Sequence, residues 1–370
     1  MSKIVLTGGT GYIGRRLLAR LLRDRSESIL VPVRASSSPD FQRRCDLLKA
    51  YLANEVKADQ IQKLQCFPSD LADLLPHLEA HKNSISMIIH NAAKTAFSVD
   101  ETTANAVNRD SSLQLMEWSQ DCAELKSFIY VSTLYASGMT AGPIAETFFP
   151  RSVFANHYER SKWEVEEALR ACFTKLPWTI ARVATVLCDD FTGKVVQQNA
   201  IHNTLKLFYY GLISLLPGRA DTPIHFVDGD FVTESLATVV DQRQPHKIYH
   251  ISYDQQASIQ LGALIDLAFE EFNQDEHFKS RRLLKPLFTD EKSFEIMVNN
   301  IKGFGGTVLN QGLSSISPFG RQLYVEKEVS NTHLRGLLDN YKSPDMRSLV
   351  KKTCHYLVQT KFSKDPGGLL

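Results

Sequence analysis

The sequence lacks the marks of a metal, disulfide or membrane protein. Its six cysteines, Cys45, Cys66, Cys122, Cys172, Cys188 and Cys354, include no CxxC pair. Reduced thiols in a cytoplasmic protein are expected. The eleven histidines form no HExxH and no paired ligand spacing, so no metal is expected. No GxSxG is present, which removes the nucleophile elbow of a hydrolase. No apolar run reaches the roughly 18 residues of a membrane span. The best stretch, Leu205 to Pro217, has 13 residues with Tyr, Ser and Gly inside it, and reads better as part of a substrate pocket. Charge of one sign is lacking as well. Lys and Arg number 42 against 41 Asp and Glu, so a nucleic-acid partner is not expected. A cleaved leader is not expected either, because it would remove a glycine-rich turn close to the start.

What is present is an alternation of apolar strands and helices. At 370 residues the chain exceeds what one core usually serves, so a large domain and a smaller lobe are expected. Short apolar runs at Ile4 to Leu6, Ile29 to Val33, Ile61 to Phe67, Met87 to His90, Phe128 to Val131, Thr179 to Arg182 and Lys247 to Ile251 read as strands. Helical periodicity between them, at 14–22, 39–52, 105–119 and 158–173, predicts a doubly wound parallel sheet of Rossmann-like, α/β class. The expected division is a nucleotide-binding domain over 1–250, with a substrate-lobe insertion near 195–225, and a mainly helical substrate lobe over 251–370. In that lobe 258–285, 331–338 and 346–357 read as helix, Gly303, Gly305, Gly306 and 314–320 as loop, and 363–370 as a frayed tail.

Gly8, Gly11 and Gly14 stand in GxxGxxG spacing between the first strand and the first helix. Gly8 allows the tight turn, Gly11 lets backbone approach a diphosphate, and Gly14 lets the helix pack on the sheet. A diphosphate would sit on the N–H groups at the helix start, with Thr7, Thr10, Tyr12 and Ile13 around it. NAD sites usually carry a carboxylate at the end of the second strand. Here that strand ends Val31-Pro-Val-Arg34. A guanidinium pairs with a 2′-phosphate that a carboxylate would repel, so NADP(H) is expected, with Arg15 or Arg16 as a second contact or simply facing water. Asp70-Leu71 is placed to touch the adenine, or Asp70 caps a helix. Asn91-Ala92-Ala93 offers small side chains beside the cofactor, and His90 reads as positional.

Tyr158 and Lys162 are four apart, on one helix face. A nearby ammonium favours a phenolate, so Lys162 is expected to lower the Tyr158 pKa and to hold a nicotinamide ribose. Thr133 ends the fifth strand and supplies a second hydroxyl. The set suits reduction of a carbonyl, with Tyr158 giving the proton. Asn108 would hold a relaying water, or is a buried asparagine bonding backbone.

These residues together resemble the extended short-chain dehydrogenase/reductase superfamily. Thr7-Gly-Gly-Thr-Gly-Tyr-Ile-Gly14 is close to its TGxxGxxG form, Thr133, Tyr158 and Lys162 match its catalytic positions, and Asn108 its relay asparagine. The stretches 29–34 with Arg43-Arg44, 89–93, 128–133, 158–166, 179–182 and 211–228 look like the branch of fatty acyl-CoA reductases and terminal thioester reductase domains. That resemblance covers about residues 3–240. It implies NADPH-dependent reduction of an acyl thioester, held on coenzyme A or a separate carrier protein, to an aldehyde or on to the alcohol. An extended short-chain enzyme acting on a small carbonyl or nucleotide-sugar is the other reading. Related sequences usually have Arg-Pro where this chain has Arg182-Val183, so the loop around Val183, next to the nicotinamide, is expected to differ. The loop 137–156 reads as a mobile flap. Neither the acyl group nor the oligomeric state is legible.

Overall fold

The alternation of apolar residues along each strand decides the architecture. In the computed structural model the described residues are 2–304, 313, 316–339 and 341–363. Among them, seven strands form one large sheet: β1 (Lys3–Thr7), β2 (Ser28–Val33), β3 (Leu64–Pro68), β4 (Ile85–His90), β5 (Ser127–Thr133), β6 (Trp178–Val183) and β7 (Lys247–Ile251). Their order is β7-β6-β5-β4-β1-β2-β3, and every pairing is parallel. This is the expected Rossmann-like sheet. Chain order reverses between β1 and β4, so their carboxyl ends open a crevice there.

Both faces of the sheet are covered, as a parallel sheet requires. Ile4, Leu6, Ile29, Val31 and Ile129 face one way, against Leu17, Leu18 and Leu21 of α1 (Tyr12–Asp24) and Leu48 of α2 (Ser38–Ala53). Val5, Leu30, Ile88, Phe128 and Ile180 face the other way, against Leu115 and Met116 of α3 (Ser111–Ser119) and Val165 and Leu169 of α4 (His157–Ala171). The first of these clusters continues through Leu264 and Leu349 to Leu357 and Phe362.

Two segments, one before α4 and one after β6, interlock with the C-terminal part. Leu215–Pro217 pairs with Leu287–Thr289, Pro223–Ile224 with Ile259–Gln260, and Gly142–Ile144 with Lys327–Val329. Phe208, on helix Ala200–Tyr209, meets Phe272 and Phe278 at centroid distances of 5.3 and 6.1 Å. No helix among the described residues is long and apolar enough to cross a membrane.

Several local expectations are corrected. The third strand begins at Leu64, because 58–61 close a helical turn in which Gln60 caps the Lys57 N–H. The helix expected over 105–119 begins with a π-helical segment, Asn105–Asp110. Such bulges turn a side chain out of the regular helical ladder, and Asn108 is the residue it buries. Helix 258–285 is two helices, Leu261–Phe272 and Glu276–Ser280, the second capped by Asp275. Residues 316–320 are helical and Gly303 lies within helix Glu291–Phe304, where loop was expected. The helix read over 331–338 is the single turn Thr332–Arg335. Gly305, Gly306 and the tail 364–370 lie outside the described residues.

Candidate functional site

The site grows from the turn between β1 and α1. Gly8 has φ +68°, and a Cβ there would stand 2.9 Å from the Ala92 backbone. A Cβ on Gly14 would run into the Gly8 carbonyl. Both positions therefore require glycine. Gly11 N–H donates to Gly8 O at 3.0 Å and closes the turn. α1 then starts with no side-chain cap and no acid in its first turn, which leaves a helix N-terminus suited to an anion. Its mouth is a cleft of about 500 Å³.

Gly8, Thr10, Gly11, Tyr12 and Ile13 line that cleft at one end, with Arg34 beyond them. Asp70 and Leu71 stand beside Arg34, and Asn91, Ala92 and Ala93 form the floor. At the other end are Thr133, Tyr158, Lys162 and Val183. Asp70 accepts from the Leu71 N–H, while the following helix is headed by Asp73, so Asp70 is not its cap.

Five candidate site residues do not line the cleft. Thr7 fastens strand ends: its hydroxyl oxygen accepts from the Asn91 and Ala92 N–H groups, both at 3.1 Å, and it shares a hydrogen bond with His90 Nδ1 at 2.8 Å. Gly14 is a packing position. Arg15 turns away from the cleft, with its guanidinium 4.7 Å over the Tyr51 ring of α2. The helical rotation from Tyr12 to Arg15 carries it to that neighbour. Arg16 pairs with Asp230 and Asp189. Asn108 accepts from the Lys94 N–H at 2.7 Å, and donates to Lys94 O and Ser161 Oγ, both at 3.1 Å. It bonds backbone, one of the two readings open to it.

Tyr158 is almost fully buried. Burial raises its hydroxyl above the usual tyrosine range, and a hydrogen bond with Thr133 works the other way. The net lowering expected from Lys162 is overturned, because burial outweighs it. Lys162 Nζ donates to Val131 O at 2.7 Å and sits 4.1 Å over the Tyr130 ring. Burial brings the Lys162 amine down to about 7, opposed by Glu166. His90 is neutral, brought down to about 3 by burial and then by Lys162. It bridges Thr7 to Ser112, a positional arrangement.

Sequence reasoning missed several lining residues. Arg44 lies beside Arg34 in the cleft and is held by Asp40 at 3.2 Å. The Arg43-Arg44 doublet on α2 was a usable signal. Phe97, Tyr135 and Phe319 also line the cleft. Phe97 stacks on Phe319 at 5.2 Å and meets Tyr158 edge-on at 5.9 Å. Three distant segments supply these rings, and no local pattern announces them. Among the described residues no cluster of His, Cys, Asp or Glu could hold a metal ion.

Over 223 residues, 53% of its length, the chain is 28% identical to the nonribosomal peptide synthetase inpA of Emericella nidulans, covering 15% of that protein. Over 164 residues, 40% of the chain, it is 28% identical to fatty acyl-CoA reductase 1 of Xenopus laevis, covering 31% of it. The chain therefore spans less than a third of the length of either relative. The terminal R domain from the myxalamid PKS-NRPS biosynthetic pathway has the same fold, with a TM-score of 0.76 at 19% identity, over 99% of this chain and 93% of that one. The pattern of one NAD-binding family, described as male sterility protein, matches residues 6–236. With well over half of its length matched, the chain belongs to the male sterility protein family of NAD(P)-binding domains.

Proposed function

We propose that this protein is an NADPH-dependent reductase of acyl thioesters. One observation carries the reading: Thr133, Tyr158 and Lys162 line the same cleft as the glycine turn. The cradle fits a dinucleotide, since the turn presents the bare backbone of Gly8 and Gly11 to the cleft and the uncapped start of α1 opens onto it. Tyr12, Ile13 and Asn91 to Ala93 would hold the diphosphate and nicotinamide portions. Arg34 and Arg44, at the far end, would pair with a 2′-phosphate. Bound there, the reduced dinucleotide supplies the two electrons that the reaction needs.

The chain's own residues do the rest. Thr133 and Tyr158 donate hydrogen bonds to the carbonyl oxygen as charge grows on it. The raised pKa of Tyr158 keeps it protonated and ready to donate. Lys162 in its ammonium form stabilises the phenolate left behind. The thioester then loses its thiol and leaves an aldehyde. Relatives named as a peptide synthetase and a fatty acyl-CoA reductase support a thioester on a carrier protein or coenzyme A. The test mixes the protein with NADPH and a panel of acyl-CoA and acyl-pantetheine thioesters, and follows nicotinamide absorbance and free thiol. NADPH oxidation matched by thiol release is expected. Oxidation on ketones alone would overturn the thioester assignment.

A further inference from the structure

Behind the cleft, one buried carboxylate joins the two elements that carry the proposed catalytic groups, α4 and β5, to β6. Glu166 lies one turn after Lys162 on α4, at 1% exposure. Ser132 Oγ donates to its Oε1 at 2.6 Å. Arg182 Nη2 donates to its Oε2 at 2.6 Å, and Arg182 Nε reaches both oxygens at 3.1 Å. Ser132 and Arg182 face each other across the β5–β6 register, and the next pair is Thr133 and Val183. Both members of that next pair line the cleft.

The other side of Arg182 is held too. Its Nη1 donates to Thr147 O at 2.8 Å and lies 3.2 Å from His250 Nε2. Its guanidinium sits 3.5 Å over the Phe149 ring. Burial, and then Arg182 itself, keep His250 neutral. Replacing a buried ion pair by apolar side chains is often neutral or stabilising, so folding stability alone does not call for one here. What apolar packing could not supply is a three-point bracket and a negative charge near Lys162.

We propose that Glu166, clamped by Arg182 and Ser132, is a positioning residue that holds Lys162 and Thr133 in register at their end of the cleft. The claim rests on the reductase reading above. The titratable groups facing Lys162 are His90 on β4, Tyr130 on β5 and Glu166 on α4, with Arg182 of β6 behind Glu166. Glu166 is the one among them that favours the ammonium, against burial.

Two variants test this, and kcat is measured against pH for each. In Glu166→Gln the Arg182 contact is kept in shape while the charge is lost. The alkaline limb of kcat then moves down by roughly one pH unit, which is about a tenfold loss at pH 8 and less than about threefold at pH 5.5. Ser132→Ala removes one arm of the bracket and leaves the ion pair. It should lower kcat about three- to tenfold with KM and nucleotide Kd unchanged. A folded Glu166→Gln protein whose limb stays in place, or a Ser132→Ala protein with full kcat, overturns the proposal. If Glu166→Gln does not fold, Ser132→Ala decides alone. If the wild-type protein reduces no carbonyl, the reductase reading fails by itself. The bracket is then read from NMR titration of the Lys162 amine, whose midpoint must fall in Glu166→Gln.

Discussion

The two sides of the crevice between β1 and β4 use different physics. On the β1-β2-β3 side the work falls to exposed backbone, a glycine turn and an uncapped helix start, with two arginine side chains at the end of the cleft. On the β4-β5-β6 side it falls to buried side chains that hold one another. Lys162 is tied to Val131, Glu166 to Arg182, and Asn108 to Lys94 and Ser161. Substitutions on the first side should therefore act on nucleotide affinity, and those on the second on turnover.

Tyr158→Phe is the sharpest break of that contrast. It should lower kcat by on the order of a hundredfold or more, with nucleotide Kd little changed. Full turnover would sink the assigned chemistry. Arg34→Ala should do the reverse. Loss of charge-assisted bonds of about 1.5–3 kcal/mol raises the NADPH Kd roughly ten- to a hundredfold. NADH affinity is spared, and kcat at saturation holds. Equal affinity for the two dinucleotides in the unaltered protein would remove the role given to Arg34.

Stability gives a smaller test. Burial brings the Glu159 carboxyl up to about 7 from 4.5. The folded state therefore binds the extra proton between those values. The stabilisation is complete below pH 4.5 and is lost as pH rises to 7. Glu159→Gln should flatten that decline, by on the order of 2 kcal/mol across the window, in urea melts at pH 4.5 and 7.5. An unchanged slope would place the titration elsewhere. Smallest of all, Phe97→Ala removes the stack with Phe319 and should cost about 1 kcal/mol. Its effect on nucleotide Kd should be negligible, because the ring lies at the Tyr158 end.

What the sequence revealed follows the same division. The glycine spacing lies within eight residues, and the Tyr158–Lys162 spacing within one helical turn, so both are local statements. Strand β7 matches its apolar run, Lys247–Ile251, end to end. Arg15 was misplaced because spacing alone does not say which way a helix rotates against its neighbours. The sign of the Tyr158 shift was misread because burial, a property of the whole fold, outweighs a charge four residues away. Phe97, Tyr135 and Phe319 could not be read, since their contact is made only when three separated segments meet. The segment 137–156, read as a flap, is tied down by Lys327, which donates to Ser137 Oγ at 2.7 Å and to Gly138 O at 2.5 Å.

Thr7 has a consequence for how the crevice moves. Its hydroxyl oxygen stands in for a strand carbonyl, receiving two consecutive amides just past the end of β4. The ladder between β1 and β4 is thereby prolonged by a side chain past the point where the backbones part. In amide exchange, Asn91 and Ala92 should behave as sheet residues though they lie in a loop, and open only when the whole sheet does. The crevice floor is then as stiff as the core, and any motion that admits a ligand must come from its walls.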